Sequence, residues 1–240
     1  MAEPERLNKF LAFELGVSRR QADDLIAAGK ILINGKIAQL GARVNLKADK
    51  IVVDDKTIDS TKTKQLIAVN KPVGVTCSRA HQAGDQTIYD ILPERFHALK
   101  LVGRLDKDSS GLILLTNDGQ FAFEMTHPKF QKNKTYLVTL DQPLEPLHQQ
   151  MISDFGINLA DGRSQMAITK LEASEVKASD IIYPSIKSQI YQVQISQGRN
   201  RQIRRTFAAL GYTVTSLHRT HFGKYFISNL AEKHWREEQF

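Results

Sequence analysis

The chain of 240 residues has one cysteine, Cys77, so no intrachain disulfide can form. A reducing cytoplasm is therefore the expected compartment. No apolar run reaches the roughly 20 residues that a membrane-spanning helix needs, so no membrane partner is expected. The opening residues, Met1-Ala2-Glu3-Pro4-Glu5-Arg6, lack the basic-then-apolar pattern of a secretory signal. There are no internal repeats and no low-complexity tracts, and the length suits one large domain or two smaller ones. The most telling absence is of acid. No Asp or Glu occurs from Ile181 to Ala231, where an even spread of 26 acids over 240 residues would place about five. That stretch holds Lys187, Arg199, Arg201, Arg204, Arg205, Arg219 and Lys224. With a net charge of +7 and a pI near 9.4, the composition favours a polyanionic partner. A solvated basic face usually mixes both signs, whereas an acid-free cluster looks like a phosphate footprint.

The centre of the chain is Gly103-Arg104-Leu105-Asp106-Lys107-Asp108-Ser109-Ser110-Gly111-Leu112. The apolar runs Leu99 to Val102 and Leu112 to Leu115 flank it and read as buried strands. A tight polar loop with two carboxylates and an arginine is thus held between rigid elements, where chemistry is often placed. On spacing alone it reads equally as a solvated turn capped by its own Asp and Ser side chains. A calcium loop is excluded, because the bidentate Glu required at position twelve is Asn117. His218 and His221 make a poor zinc site beside one cysteine and scattered histidines. No metal and no cofactor is expected.

Residues 6 to 28 read as two short helices. Leu7, Phe10, Leu11 and Leu15 recur at helical spacing and Gly16 stops the first. Ser18 and Gln21 form a capping box for the second, which Gly29 ends. Asn34-Gly35 predicts a hairpin with a type I′ turn. Arg19 and Arg20 oppose the second helix's dipole unless an anion binds there; a surface pair with no role is the alternative. Asp54 to Lys64 reads as a linker, dividing the chain into 1–58 and 59–240. Beyond it come a strand from Leu66 to Val69, a turn at Pro72 and Gly74, and short helices at Thr87–Leu92, Phe121–Thr126 and Glu145–Phe155. Further strands are expected at Lys134–Leu140, around Tyr191, Val193 and Ile195, and at Tyr212–His218. Arg201, Arg204 and Arg205, spaced i, i+3, i+4, are predicted to share one basic face of a helix, with Ile203, Phe207 and Leu210 facing the core.

Arg6 to Leu11, Ser18 to Ala22 and Gly29 to Lys36 resemble an S4 RNA-binding domain. Asn70-Lys71-Pro72-Val73-Gly74, the central Gly103–Leu112 loop, Lys134-Thr135-Tyr136 and Gly198 to Arg205 follow it in order. The whole resembles the RsuA-type ribosomal RNA pseudouridine synthases. That resemblance implies an α+β fold: a small N-terminal domain of two helices plus a hairpin, and a larger catalytic domain on a mixed, mostly antiparallel sheet. It implies that uridine becomes pseudouridine: the N1–C1′ bond breaks, the base turns, and a C5–C1′ bond forms. Asp106 matches the catalytic aspartate, Tyr136 the tyrosine against the target base, and Arg204 the basic partner of the aspartate. A packed strand tyrosine is the plainer reading of Tyr136. Arg104, Arg19, Arg20, Lys71, Arg199, Arg201 and Arg205 are the expected RNA contacts. Asp108 is read as a loop-stabilising cap.

The expected partner is ribosomal RNA or a ribosome assembly intermediate, met by a monomer. Large-subunit RNA is favoured over small-subunit RNA. Two other classes remain: a non-catalytic S4-type assembly factor, and a glycosidase-like hydrolase using Asp106 and Asp108. The first would not need Asp106, Tyr136 and Arg204 together. The second lacks any evidence of the carboxylate separation it requires.

Overall fold

The capping box expected at Ser18 is formed in the computed structural model of the chain. Ser18 Oγ accepts from the Gln21 amide at 3.1 Å, and the Gln21 side chain accepts from the Ser18 amide at 2.8 Å. The structure describes residues 4–58, 63–81, 84–172 and 189–240. It divides into two units: Met1–Gln65 with Thr116–Gln120, and Leu66–Leu115 with Phe121–Phe240.

In the first unit, helices Leu7–Leu15 and Arg19–Ala27 pack Leu7, Phe10, Leu11, Ala22 and Ile26 against Ile31, Val44, Ile51 and Val53. A four-stranded sheet runs in the order Lys36–Ile37, Ile31–Ile33, Ile51–Val53, Lys56–Thr57. Ile33 pairs with Lys36 around Asn34 (φ 51°) and Gly35 (φ 80°), both left-handed as a type I′ turn requires. A second turn of this kind falls where a linker was expected. Val53 pairs with Lys56 around Asp54 (φ 43°) and Asp55 (φ 65°). Asp tolerates this region through local hydrogen bonding, so the polar stretch begins as a hairpin. Residues 59–62 of the expected linker, and with them the division at 58/59, lie outside the described residues, as does Lys187.

The second unit is built on a nine-stranded sheet among the described residues. Its path runs Ala167–Lys170, Ile190–Ile195, Lys134–Leu140, Val214–Phe222, Ser110–Thr116, Leu66–Lys71, Trp235–Glu237. Tyr225–Phe226 pairs with Val214–Phe222, and Lys100–Val102 with Ser110–Thr116. Val214–Phe222 runs parallel to Ser110–Thr116, while its pairing with Lys134–Leu140 is antiparallel, as are the outer pairings. The sheet is thus mixed and mostly antiparallel.

Alternation sorts the central strands onto two cores. Ile67, Val69, Ile113 and Leu115 join one cluster with Tyr136, Val138 and Val193. Leu66, Ala68, Leu112 and Leu114 join another with Met125, Phe222 and Tyr225. Every residue of Leu66–Lys71 and Ser110–Thr116 is buried, which is why both read as continuous apolar runs. The expected helix at Thr87–Leu92 narrows to a 3₁₀ turn at Ile88–Ile91, that at Phe121–Thr126 starts two residues earlier as Gly119–Thr126, and that at Glu145–Phe155 is a helix at Pro146–Gln150 continuing into a π-turn at Met151–Phe155. No helix of the described residues is long and apolar enough to cross a membrane.

The strand expected from Leu112 begins earlier, at Ser110, because Gly111 is already paired with Arg219. At Gly111 (φ +102°) a Cβ would collide with the Arg219 carbonyl oxygen and stand 2.6 Å from the Arg219 nitrogen. At Gly35 a Cβ would meet nothing within 4 Å. Gly111→Ala is therefore expected to cost about 3 kcal/mol or more of unfolding free energy. Gly35→Ala should cost only about 1–2 kcal/mol for left-handed backbone. Urea midpoints of the two variants test the contrast; equal shifts would mean that the sheet yields at Gly111.

Candidate active site

Gly103 (φ +73°) turns the chain out of Lys100–Val102, and the polar segment to Ser109 then leads into Ser110–Thr116. Leu105 is buried and anchors the loop in the main core. The Ser109 amide donates to the Asp106 carbonyl (3.1 Å), closing the turn. From below, the Gly74 amide donates to the Lys107 carbonyl (2.8 Å). Lys107 Nζ pairs with Asp85 at 2.6 Å. The loop is therefore fixed at both ends and at its tip.

Asp106 faces a cleft of about 310 Å³ whose lining includes Arg104, Lys134, Tyr136, Arg201, Leu217 and Arg219. Its side chain is about one-third exposed (35%). Tyr136 is 7% exposed and lines the same cleft, and its hydroxyl has no hydrogen-bond partner among the described residues. Asp106, Tyr136 and the arginine-rich helix start are thus brought together as expected. Arg104 is exposed at the cleft, with no ion-pair or hydrogen-bond partner among the described residues.

The expected Arg204–Asp106 pair takes a different form. Arg201 caps helix Gln202–Ala208 in a left-handed conformation (φ 46°), which takes it off the helical face it was expected to share. It grips Asp108 with both terminal nitrogens, at 3.1 and 2.9 Å, and its Nη1 stands 3.7 Å from Asp106 Oδ2. Arg204 donates to the carbonyls of Val214 (2.7 Å) and Asp108 (2.8 Å), and its Nε lies 3.4 Å from the Asp108 carboxylate. No ion pair joins Arg204 to Asp106. Burial opposes ionisation of Asp108, but the Arg201 hydrogen bonds and the charges of Arg204 and Arg201 outweigh it and hold the carboxyl below its usual range.

Two further arginines expected at RNA are engaged within the fold. Arg199 donates to the carbonyls of Asp161, Gly162 and Arg163 and to the Asp161 carboxylate, clamping the hairpin of Ile157–Leu159 and Gly162–Ser164. Arg205 grips Asp161 through two bonds, at 3.1 and 2.7 Å. The acids that neutralise this helix come from outside the acid-free stretch, which is why composition alone did not show them. Lys71, expected at RNA, is fully buried, with Nζ donating to Pro72 O (2.8 Å) and Val75 O (2.7 Å), so it braces the turn under the loop. In the N-terminal unit, Arg19 donates to Asn8 (3.0 Å), which in turn is held by Asp23, while Arg20 is exposed.

Lys134, in the Lys134-Thr135-Tyr136 motif, and Arg219, in the acid-free stretch, were given no place in the cleft from sequence. The signal for Lys134 was strand alternation, since it lies two residues before Tyr136 and so on the same face. Nothing local placed Arg219 beside Tyr136, because that depends on long-range pairing. His218 is buried, with Nδ1 2.9 Å from Ser110 Oγ. It is a strand residue of the loop's far end.

Burial lowers the Lys71 ammonium to about 8 from an ordinary 10.5. Below pH 8 the folded and unfolded chains both carry the proton, and folding bears the cost of burying the charge. Between pH 8 and 10.5 only the unfolded chain holds it, so stability rises with pH across that window. The rise is at most about 3 kcal/mol. Lys71→Met should flatten it in urea unfolding measured from pH 7 to 11; an unchanged slope would assign the titration to other groups.

The chain matches known proteins along most of its length. Residues 65–209 fit the RNA pseudouridylate synthase family and residues 5–51 the S4 domain. The chain is 35% identical over 222 residues to ribosomal large subunit pseudouridine synthase B of Bacillus subtilis (strain 168), covering 91% of this chain and 85% of that one. It is also 35% identical over 237 residues to ribosomal small subunit pseudouridine synthase A of Pasteurella multocida (strain Pm70), covering 96% and 94%. A crystal structure of a pseudouridylate synthase superposes with a TM-score of 0.64 at 31% identity, covering 98% of this chain and 96% of that one. Fold and sequence matches agree: the chain belongs to the RNA pseudouridylate synthase family, in its RsuA-type branch with an N-terminal S4 domain.

Proposed function

We propose that this chain converts one uridine of ribosomal RNA to pseudouridine, with Asp106 as nucleophile and large-subunit RNA as the favoured substrate. The observation that carries the reading is the placement of an accessible carboxylate and an uncommitted tyrosine hydroxyl in one cleft, with a guanidinium 3.7 Å from the carboxylate. At about 310 Å³ the cleft is at the small end of ligand sites, which span roughly 300–1,000 Å³, and suits a single nucleoside. A stacked uridine hides its reacting atoms, so the nucleotide must leave the stack to enter. Arg104, exposed and unpaired at the cleft, is free to meet the displaced backbone.

In this reading Asp106 holds C1′ after the N1–C1′ bond breaks, so the base turns without escaping. Tyr136 lies against the base and takes part in removing the C5 proton. Arg201 and Arg204 hold the loop that aims the carboxylate. Ribosomal RNA also suits the N-terminal unit, where Arg6, Lys9, Arg19, Arg43 and Lys47 line a hollow of about 690 Å³. Relatives named for each subunit match at equal identity, so the preference for large-subunit RNA rests on Gly198-Arg199-Asn200-Arg201 and Ser18-Arg19-Arg20. The protein is proposed to act as a monomer in the cytoplasm.

Carbodiimide-stop primer extension of ribosomal RNA from cells lacking this protein tests the reading. One stop should vanish in the deletion strain and return with wild type. Asp106→Asn should not restore it, since loss of the nucleophile lowers the rate by about four orders of magnitude or more. A vanished stop in small-subunit RNA would overturn the subunit preference alone. Full restoration by Asp106→Asn would remove the nucleophile assignment.

A further inference from the structure

The floor of the cleft carries more positive charge than its acids answer. Arg219 is 2% exposed; its Nε donates to Leu112 O at 2.7 Å, while its Nη2 is buried with no acceptor among the described residues. Lys134 Nζ has only two backbone carbonyls, Lys132 O at 3.0 Å and Ser196 O at 3.4 Å. Among the described residues neither cation has an acidic partner within 4 Å, and Asp106, the one acid among those lining the cleft, has Arg201 as its neighbour.

A β-bulge brings the two together. Lys134 pairs with Phe222 and Thr135 with His221, but Tyr136 pairs with Arg219, leaving Thr220 as the extra residue. The bulge places Arg219 and Phe222 on the face that Lys134 and Tyr136 share. Both cations then lie near one ring: the Lys134 ammonium is 5.2 Å and the Arg219 guanidinium carbon 4.8 Å from the Phe222 centroid. Burial and the Arg219 charge lower the Lys134 ammonium to about 8. A buried guanidinium nitrogen without an acceptor is costly, and an anionic or carbonyl ligand offsets that cost.

We infer that Arg219 and Lys134 form the site for the uracil carbonyl oxygens and stabilise the base as it leaves the sugar; this rests on the function proposed above. When the N1–C1′ bond breaks, its electron pair goes to the base, and the negative charge spreads over N1, O2 and O4. The electron-deficient C1′ is met by the Asp106 carboxylate. Rejoining through C5 forms the C5–C1′ bond and displaces that carboxylate. The C5 proton then departs, N1 takes up a proton, and the isomerisation balances without any co-reactant. Charge complementarity from positioned cations is strongest at the moment the base is anionic.

The test compares uridine with 5-fluorouridine at the mapped target, in RNA transcripts carrying one or the other. Fluorine withdraws electrons and makes the base a better leaving group, so it needs less help from the cations. Single-turnover loss of each nucleoside is followed by digestion and mass spectrometry for wild type, Arg219→Gln and Lys134→Gln. Each variant should slow uridine by about 10- to 100-fold and 5-fluorouridine much less, with RNA affinity unchanged. The ratio of the two rates is independent of how much of a variant is folded. A ratio equal to wild type would overturn the inference, as would a loss confined to RNA affinity, which would mark the pair as phosphate contacts. Both outcomes leave the proposed function standing if wild type forms pseudouridine. If wild type forms none in RNA of either subunit, function and inference fall together.

Discussion

The structure depends on one short parallel contact, Ser110 and Gly111 against His218 and Arg219. Among the described residues it is the only junction between the four strands on one side of the main sheet path and the three on the other. Parallel pairing needs both faces covered, and the two cores on opposite faces provide this. The backbones approach so closely that residue 111 has no room for a side chain. Ser110 Oγ against His218 Nδ1 (2.9 Å) and Arg219 Nε to Leu112 O (2.7 Å) bind the same seam from its side chains. Because Arg219 also pairs with Tyr136 on its other edge, the seam fixes the distance between the loop that carries Asp106 and the strand that carries Tyr136. The stability of the sheet and the geometry of the cleft are thus set by the same few atoms.

Much of the fold is local and was therefore legible in the sequence. Ser18 and Gln21 define a helix start, Asn34-Gly35 a turn, and Tyr191, Val193 and Ile195 a strand face, each within a few residues. The second hairpin was equally local and still went unread, because Asp54-Asp55 has the polarity of a linker and only its left-handed backbone shows a turn. The family resemblance placed Asp106 and Tyr136 in one site, which spacing alone left open between a site and a solvated turn.

Charge was legible in amount and illegible in disposition. The acid-free stretch suggested a row of arginines facing RNA, but Asp108 and Asp161, distant in sequence, engage Arg201, Arg199 and Arg205. Lys71 sits in a motif rich in turn residues, and nothing around it signals full burial under two carbonyls. Ion pairing between sequence-distant groups is a product of topology, so it becomes visible only when the strands are paired.

The division of labour between the two carboxylates follows from the same pairing. A carboxylate gripped by both nitrogens of a guanidinium spends its lone pairs on hydrogen bonds and is a poor nucleophile. Asp108 takes that position, at 2.9 and 3.1 Å from Arg201, and Arg204 adds a carbonyl tether at 2.8 Å. Asp106 keeps the same guanidinium only at 3.7 Å, near enough to be oriented by its charge and too far to be consumed by it. In the proposed reaction the attacking carboxylate must be aimed and free. The sequence Asp-Lys-Asp meets both demands by giving the arginine a second acid to hold.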